Sequence, residues 1–460
     1  MPSLVSPWWR ERFDLMQTPT PAQADLRKRW ARILPAVFVT YSLAYLDRAN
    51  FGFGAAAGMA RTLDISGYRT DLLGALFFLG YFLPQVPGVI LVRRYSARLL
   101  IFLALIAWGA FAALTGVIRT FWLLAADRLL LGVAESFVFP ALLIVLTHWF
   151  TRGERSRANT ILMLGNPTTL LWMSAATGFL IRATNWEQAF IIEGGLAVVW
   201  GVFWLALVRD TPREVQWLGV PARTELEAAL DREQQHLPPK ASLRLAFGDR
   251  NVVRLCINYF FWSLGIYGFV LWLPVVIHNA TRTAIDITGL LSAVPYLAAV
   301  LLMLVVSHFS DRTARRREYV RPILMLGGIA LAGSYFTLGH GFALAYVCLI
   351  VAASCMYAPY GPFFAMIPEM LPKNVAGETI ALINSCGALG GFFGVWGVGL
   401  LRTFTGGSQA GFLLMSLSLI LSGAVLPGMH PLPGQLPPAA HPRFAPEDRP
   451  AENKVEREAQ

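Results

Sequence analysis

Arg128 and Glu135 stand seven residues apart in the stretch FWLLAADRLLLGVAESFVFPALLIVLTHWF (121–150), most of which is apolar. Seven residues is two helical turns, so both side chains share one face, about 10 Å apart along the axis. A charge at bilayer depth costs at least ~2.5 kcal/mol, so it needs a partner, a watery cavity or a task. A second pair, Asp47-Arg48, lies in an earlier apolar run. Counted from Ile33, Asp47 falls about 21 Å into a hydrocarbon core about 30 Å thick. Arg128, counted from Phe121 in the opposite direction, falls about 10 Å below the outer edge. Asp47, Arg48 and Arg128 are therefore expected at similar depth, with Glu135 nearer the inner side.

Two carboxylates and two guanidinium groups cancel when all are ionised. Protons on the acids would leave two cations that attract an anion, so proton and anion binding would favour each other. Burial and a neighbouring Arg act oppositely on a carboxylate, so its proton affinity depends on which way the site faces. Arg suits a carboxylate ligand because its planar fork can bind both oxygens and it stays charged. Arg48 and Arg128 are accordingly expected to bind a substrate carboxylate, and Asp47 and Glu135 to carry protons. The alternative is that all four form ion pairs that fix helix packing. Asp47 and Arg48, as helical neighbours, diverge by about 100° and cannot both point at one ligand.

These charges need a membrane scaffold, and the composition supplies one. The 460 residues are 55% apolar and only 14% charged, with mean hydropathy +0.53. That composition is typical of a polytopic, all-α membrane protein. The net charge of +10 does not point to nucleic acid, because the basic residues form short clusters between apolar runs. Cys256, Cys348, Cys355 and Cys386 all lie within apolar runs, so neither a disulfide framework nor a CxxC metal site is implied. The N-terminal stretch lacks the apolar core and cleavage site of a signal peptide. There is no P-loop, HExxH, GxSxG or metal-ligand cluster, so neither an enzyme nor a cofactor is expected.

Apolar runs fall near 33–55, 72–92, 99–118, 121–149, 158–181, 188–208, 253–277, 288–310, 322–339, 342–367, 377–401 and 409–428. Each approaches the ~20 residues of a spanning helix. Most of the 38 Lys and Arg fall in segments on the side of the N-terminus, which sets both termini in the cytoplasm. The expected layout is a cytoplasmic segment 1–32, a six-helix bundle 33–208, a cytoplasmic loop 209–252, a second bundle 253–428 and a disordered tail 429–460. Within the loop, TELEAALDREQQH is expected to form a surface helix. The halves echo each other: GVILVRRYSARLL follows span 2 and SHFSDRTARRREY follows span 8. Such an internal repeat suggests a transporter with a central site between two bundles.

SHFSDRTARR resembles the loop motif G-x-x-x-D-R-x-G-R-R of the major facilitator superfamily, with Ser307 in place of its Gly. Asp311, Arg312, Arg315 and Arg316 match the motif's gating positions. The first-half copy departs, with Arg93 where the acid is usual and Ser96 for the second Gly. YLDRANFGFG (45–54), GYFLPQVPG (80–88), DRLLLGVAESFVFPAL (127–142), HWFTRGERSRANTI (148–161), YGFVLWLP (267–274) and ALINSCGALGGFFG (381–394) together resemble that superfamily's anion:cation symporter branch. The resemblance covers about residues 30–428. It implies twelve transmembrane helices in two six-helix bundles, in a bacterial inner membrane and surrounded by lipid. It also implies a monomer, with a small organic anion and protons as its cargo. The branch carries sugar acids, tartrate and phthalate-type or hydroxyphenylacetate-type aromatic acids, and gives the positions of Asp47, Arg48, Arg128 and Glu135 much the roles reasoned above.

The resemblance also places Tyr45 and Tyr81 on the substrate site and matches Asn384 to a substrate-contacting position. For the tyrosines, a packing or interfacial role is the alternative. Asn166, beside Pro167, puts an amide where sugar-acid members often have Gln. The second half is almost free of charge, so its contribution is expected to be shape and neutral polar contacts, with Tyr267, Trp272, Tyr357, Tyr360 and Asn384 as candidates. His308 and His340 are expected at interfaces. Phe363-Phe364 stands where Trp is common in the branch, which with Asn166 favours an aromatic or less hydroxylated acid. Six glycines between Gly387 and Gly399 allow close packing or sliding of span 11.

Overall fold

A computed structural model of the protein describes residues 21–235, 250–313, 315–338, 341–370, 376–406 and 409–426. The expected tail 429–460 and most of the N-terminal segment lie outside the described residues. Span 1 is α1 (Pro21–Ala56), followed by the one-turn α2 (Met59–Thr62). Span 2 joins α3 (Gly67–Phe82) to α4 (Gln85–Arg94), and span 3 is α5 (Ala97–Thr115). Span 4 joins α6 (Phe121–Glu135) to α7 (Val138–Trp149), span 5 is α8 (Arg152–Ala183) and span 6 is α9 (Trp186–Leu207). The central loop carries the surface helix α10 (Val220–Gln235). Spans 7, 8 and 9 are α11 (Arg250–Thr281), α12 (Ile285–Thr313) and α13 (Arg316–Leu338). Span 10 joins α14 (Phe342–Tyr357) to α15 (Tyr360–Met370), and spans 11 and 12 are α16 (Ala376–Thr405) and α17 (Gln409–Val425).

The breaks have local causes. Pro84 and Pro359 lie at the interruptions of spans 2 and 10, and Pro140 lacks the N–H that would reach the Ser136 carbonyl in span 4. Eight helices among the described residues are long and apolar enough by themselves to cross a membrane. Spans 1 and 5 are too polar, span 2 is broken, and span 12 is short, so those four cross only as part of the bundle.

The packing repeats between halves. Span 1 packs on span 5 as span 7 does on span 11; spans 3 and 6 pair as spans 9 and 12 do; spans 2 and 4 pair as spans 8 and 10 do. The two six-helix bundles meet through span 5 on span 8, span 2 on span 11 and span 1 on span 7. They close at the end opposite the chain termini. There Arg182 of span 5 pairs with Asp286 of span 8, and Gly52 lies against the Leu271 backbone, where an added Cβ would stand only 2.6 Å from its carbonyl oxygen. Span 8 approaches span 5 so closely that a Cβ on Gly289 would collide with the Ser174 carbonyl. Gly289→Val is expected to cost about 1–3 kcal/mol through overpacking. The check is a fall of several degrees in the melting midpoint of the purified protein; an unchanged midpoint would contradict the close approach. In span 11, Gly390 and Gly394 likewise meet the span 7 backbone at Phe260 and Leu264.

At the terminus-bearing end, side chains tie the central loop to the first bundle. Asp25 accepts from the Gly219 N–H at 3.1 Å and pairs with Lys28 at 2.6 Å. The Lys28 ammonium, hydrogen-bonded to it, holds the Asp25 carboxyl below the usual carboxylate range. Trp217 stacks on Trp149 at 5.6 Å, and Arg32 lies over the Trp217 ring. Arg29 joins the end of span 4 to the start of span 5, donating to the Trp149 carbonyl at 2.8 Å and pairing with Glu154. Of the gating motif, Arg312 is exposed, Arg315 pairs with Glu318 at 3.5 Å, and Arg316 begins α13. The Asp311 and Arg93 side chains, like His340, lie outside the described residues, whereas His308 is exposed near the end of span 8.

Candidate functional site

Among the described residues, the charged quartet forms one ion pair, between Arg48 and Glu135. Arg48 leaves span 1 toward the bundle interface and forms a buried ion pair with Glu135 of span 4. Its guanidinium lies 4.6 Å from the Tyr81 ring centroid and 4.8 Å from that of Tyr45, and donates to the Tyr267 hydroxyl at 3.5 Å. A guanidinium facing ring π-clouds in a dry site is held electrostatically as well as by contact. Glu135 is 0% exposed, and its second oxygen has no hydrogen-bond partner. Asp47, about 100° round the same helix, makes no ion pair among the described residues but lies within electrostatic range of both Arg128 and Arg48. Both oxygens of Asp47 are buried without a hydrogen-bond partner, as are Nε and Nη1 of Arg128. Arg128 is 1% exposed and packs over Phe51 at 4.8 Å.

A narrow cleft of about 10 Å³, room for a single water, lies between the bundles beside the Arg48–Glu135 pair. Arg48, Phe78 and Tyr81 line it from the first half, and Tyr259, Tyr267 and Asn384 from the second. The wall therefore offers one fixed cation, a ring face, several hydroxyls and an amide. Such a set has the chemistry for a small anion with a planar or apolar body and a few polar substituents, which would enter only once the bundles part.

Among the expected site residues, Arg48, Tyr81, Tyr267 and Asn384 come together on this wall, with Tyr45 beneath Arg48 and Glu135 holding it. Asp47, Arg128, Asn166, Tyr357 and Tyr360 lie off it. Asn166 is buried with an unpartnered carbonyl oxygen in span 5. Tyr357 and Tyr360 stack on each other at 5.8 Å, and Tyr360 packs on Trp262 at 4.7 Å. Trp272 lies under Arg402 near the end remote from the termini.

Sequence reasoning missed Tyr259 and Ser263 on the wall, and two further buried acids. Asp127 accepts from the Thr115 hydroxyl at 2.8 Å. Glu193 accepts from Asn50 at 2.6 Å and from Thr177 at 2.7 Å. Apart from Arg29, which is buried at the terminus-bearing end and paired with Glu154, the buried interior of the first bundle thus holds Asp47, Asp127, Glu135 and Glu193 against Arg48 and Arg128. Full ionisation would leave two negative charges in excess, so the neutral quartet expected from sequence is incomplete. The signal for Glu193 was available, since it is a lone acid in the apolar run IIEGGLAVVW. Tyr259 carried none, because one tyrosine among many aromatics does not disclose which face it occupies.

Comparison with known proteins shows the family and the fold. The Major Facilitator Superfamily profile matches residues 37–395. A protein of Agrobacterium vitis named for tartrate transport is 31% identical over 413 residues, covering 87% of this chain and 93% of that one. The quinolone resistance transporter of Acinetobacter baumannii is 30% identical over 410 residues, covering 86% and 92%. Among solved structures, the inward-facing, occupied form of a bacterial homolog of the human lysosomal transporter Spinster superposes with a TM-score of 0.62. It is 16% identical and covers 86% of this chain and 94% of that one, a likeness of fold alone.

Proposed function

The chain belongs to the Major Facilitator Superfamily, and from that premise we propose that it imports an organic carboxylate by proton symport through alternating access. The observation that carries this reading is the Arg48–Glu135 pair at the edge of the cavity. Glu135 holds the cation that a substrate carboxylate needs. A proton on Glu135 weakens that hold, so Arg48 becomes available to the incoming anion, and the bound anion in turn favours the proton. The bidentate fork of Arg48 then fixes the carboxylate. Tyr81, Tyr267 and Asn384 read its polar substituents, and Phe78 packs on its body. Arg128 acts from beyond the wall: when Asp47 takes up a proton, the positive charge of Arg128 is no longer offset and adds to the attraction for the anion.

The cargo is an aromatic or sugar-derived acid. The membrane is the bacterial inner membrane, with both termini cytoplasmic, as the basic terminus-bearing segments favour. In this orientation the bundles are closed on the outer side. A second reading, export or exchange on the same arginine, is favoured by the relative named for quinolone resistance.

Proteoliposomes loaded at neutral pH and diluted into acidic buffer test both. With a panel of tartrate, gluconate, benzoate and hydroxyphenylacetate, at least one acid is expected to accumulate, and collapse of the gradient by a protonophore to stop it. Movement only against a preloaded anion would support exchange. Binding without movement would refute transport.

A further inference from the structure

Span 6 holds a carboxylate that the reading above leaves unused. Glu193 stands mid-helix in α9 and is 6% exposed. Its Oε2 accepts from Asn50 Nδ2 at 2.6 Å and its Oε1 from Thr177 Oγ1 at 2.7 Å, so spans 1 and 5 converge on it. Asn50 follows Asp47 by three residues, nearly one helical turn, and so lies on the same side of span 1. The Asn50 carbonyl oxygen is buried without a partner, as are both Asp47 oxygens. Asn50 therefore stands between two buried acids, with its amide nitrogen committed to one and its oxygen open.

The charges around Glu193 are few. On span 1 these are Asp47 and Arg48, and Asp47 acts on it directly. Span 3 carries only Arg98, at its opposite end, where it bonds the Leu205 carbonyl. Span 5 presents Arg182, which pairs with Asp286. On α9 itself, Glu187 in the first turn pairs with Arg119 at 3.5 Å. Across span 1, Arg128 interacts with Asp47, Asp127 and Glu135. Glu193 thus has hydrogen-bond donors but no cation of its own, in an interior with more acids than arginines.

We propose that Glu193 is a third proton-binding carboxylate of the transport cycle, linked to Asp47 through Asn50. The inference rests on the proton-symport reading and extends it. Glu193 and Asp47 repel each other, and only Asp47 has Arg128 within range. A proton on Glu193 therefore lets Asp47 ionise beside Arg128, while a proton on Asp47 relieves Glu193. In this way proton uptake is spread over the first bundle beyond the Glu135 position.

The test is the pH profile of gradient-driven uptake of the best-transported panel acid (tartrate, gluconate, benzoate or hydroxyphenylacetate), compared between wild type, Glu193→Gln and Glu193→Asp. Gln keeps an acceptor for the donors but binds no proton. Its half-maximal uptake is expected about one pH unit more acid, a tenfold change in proton concentration. The cause is that Asp47 loses a negative neighbour. Solute counterflow, which needs no net proton movement, is expected to persist. Glu193→Asp is expected to restore the wild-type profile, whereas loss of counterflow in Gln that Asp rescues would count against the proposal, because exchange needs a carboxylate there for a reason other than net proton movement. A Gln variant with counterflow intact and an unshifted profile overturns it. Loss of counterflow in both variants also overturns it, because Glu193 would then only tie spans 1, 5 and 6 together. A wild type indifferent to the pH gradient would instead sink the proton-symport reading itself.

Discussion

Arg48→Ala is expected to lower uptake of the transported acid at least ~100-fold, equivalent to about 2.8 kcal/mol at 1.4 kcal/mol per tenfold. The change removes the cation on the cavity wall and also leaves Glu135 buried without its partner. Truncating one member of a buried pair costs about 3–5 kcal/mol, most of it from the stranded charge. Arg48→Lys keeps the charge but loses the fork and the planar contact with the Tyr45 and Tyr81 rings, so an intermediate loss is expected. Initial rates in proteoliposomes at matched protein content give the comparison. An Ala variant within about threefold of wild type, well under the cost of a lost buried partner, would remove Arg48 from the substrate site.

Glu135→Gln has the second large expected effect, and it separates two activities. An amide cannot take up and release the proton that frees Arg48, so accumulation driven by a pH gradient is expected to vanish. Substrate exchange across the membrane needs only the bundles to rock with cargo bound, and is expected to survive. Survival of both activities at wild-type rates would show that Glu135 has no proton role. Loss of both would mark the Arg48–Glu135 pair as a packing tie.

Much of this arrangement was legible in the sequence, for stateable reasons. Charges in an apolar run have few permissible explanations, so Asp47, Arg48, Arg128 and Glu135 stood out. The breaks at Pro84 and Pro359 follow from their missing N–H, but they were not read from the sequence. The twelve runs gave the spans, although spans 1 and 5 depend on their neighbours because they carry the polar groups. What the sequence could not settle was rotation. Arg48 and Arg128 are the same residue type at similar expected depth, yet only Arg48 lines the cavity. Tyr267 and Tyr357 looked alike, but Tyr357 is wholly buried against other aromatics. Such distinctions depend on the azimuth of each helix, which is set by packing glycines and partners from distant parts of the chain. Glu193 is a different case: the rule that raised Arg128 applies to it equally, and only a count of every buried charge brings out the excess of acids.

Competition between Glu135 and the substrate for Arg48 is most directly tested by equilibrium affinity as a function of pH. With the best-transported acid, wild-type affinity is expected to tighten as pH falls, because a protonated Glu135 releases Arg48. Glu135→Gln is expected to bind at least as tightly as acidified wild type, with a much flatter pH dependence. A Gln variant that binds as weakly as wild type at high pH, with the wild-type slope retained, would contradict the competition.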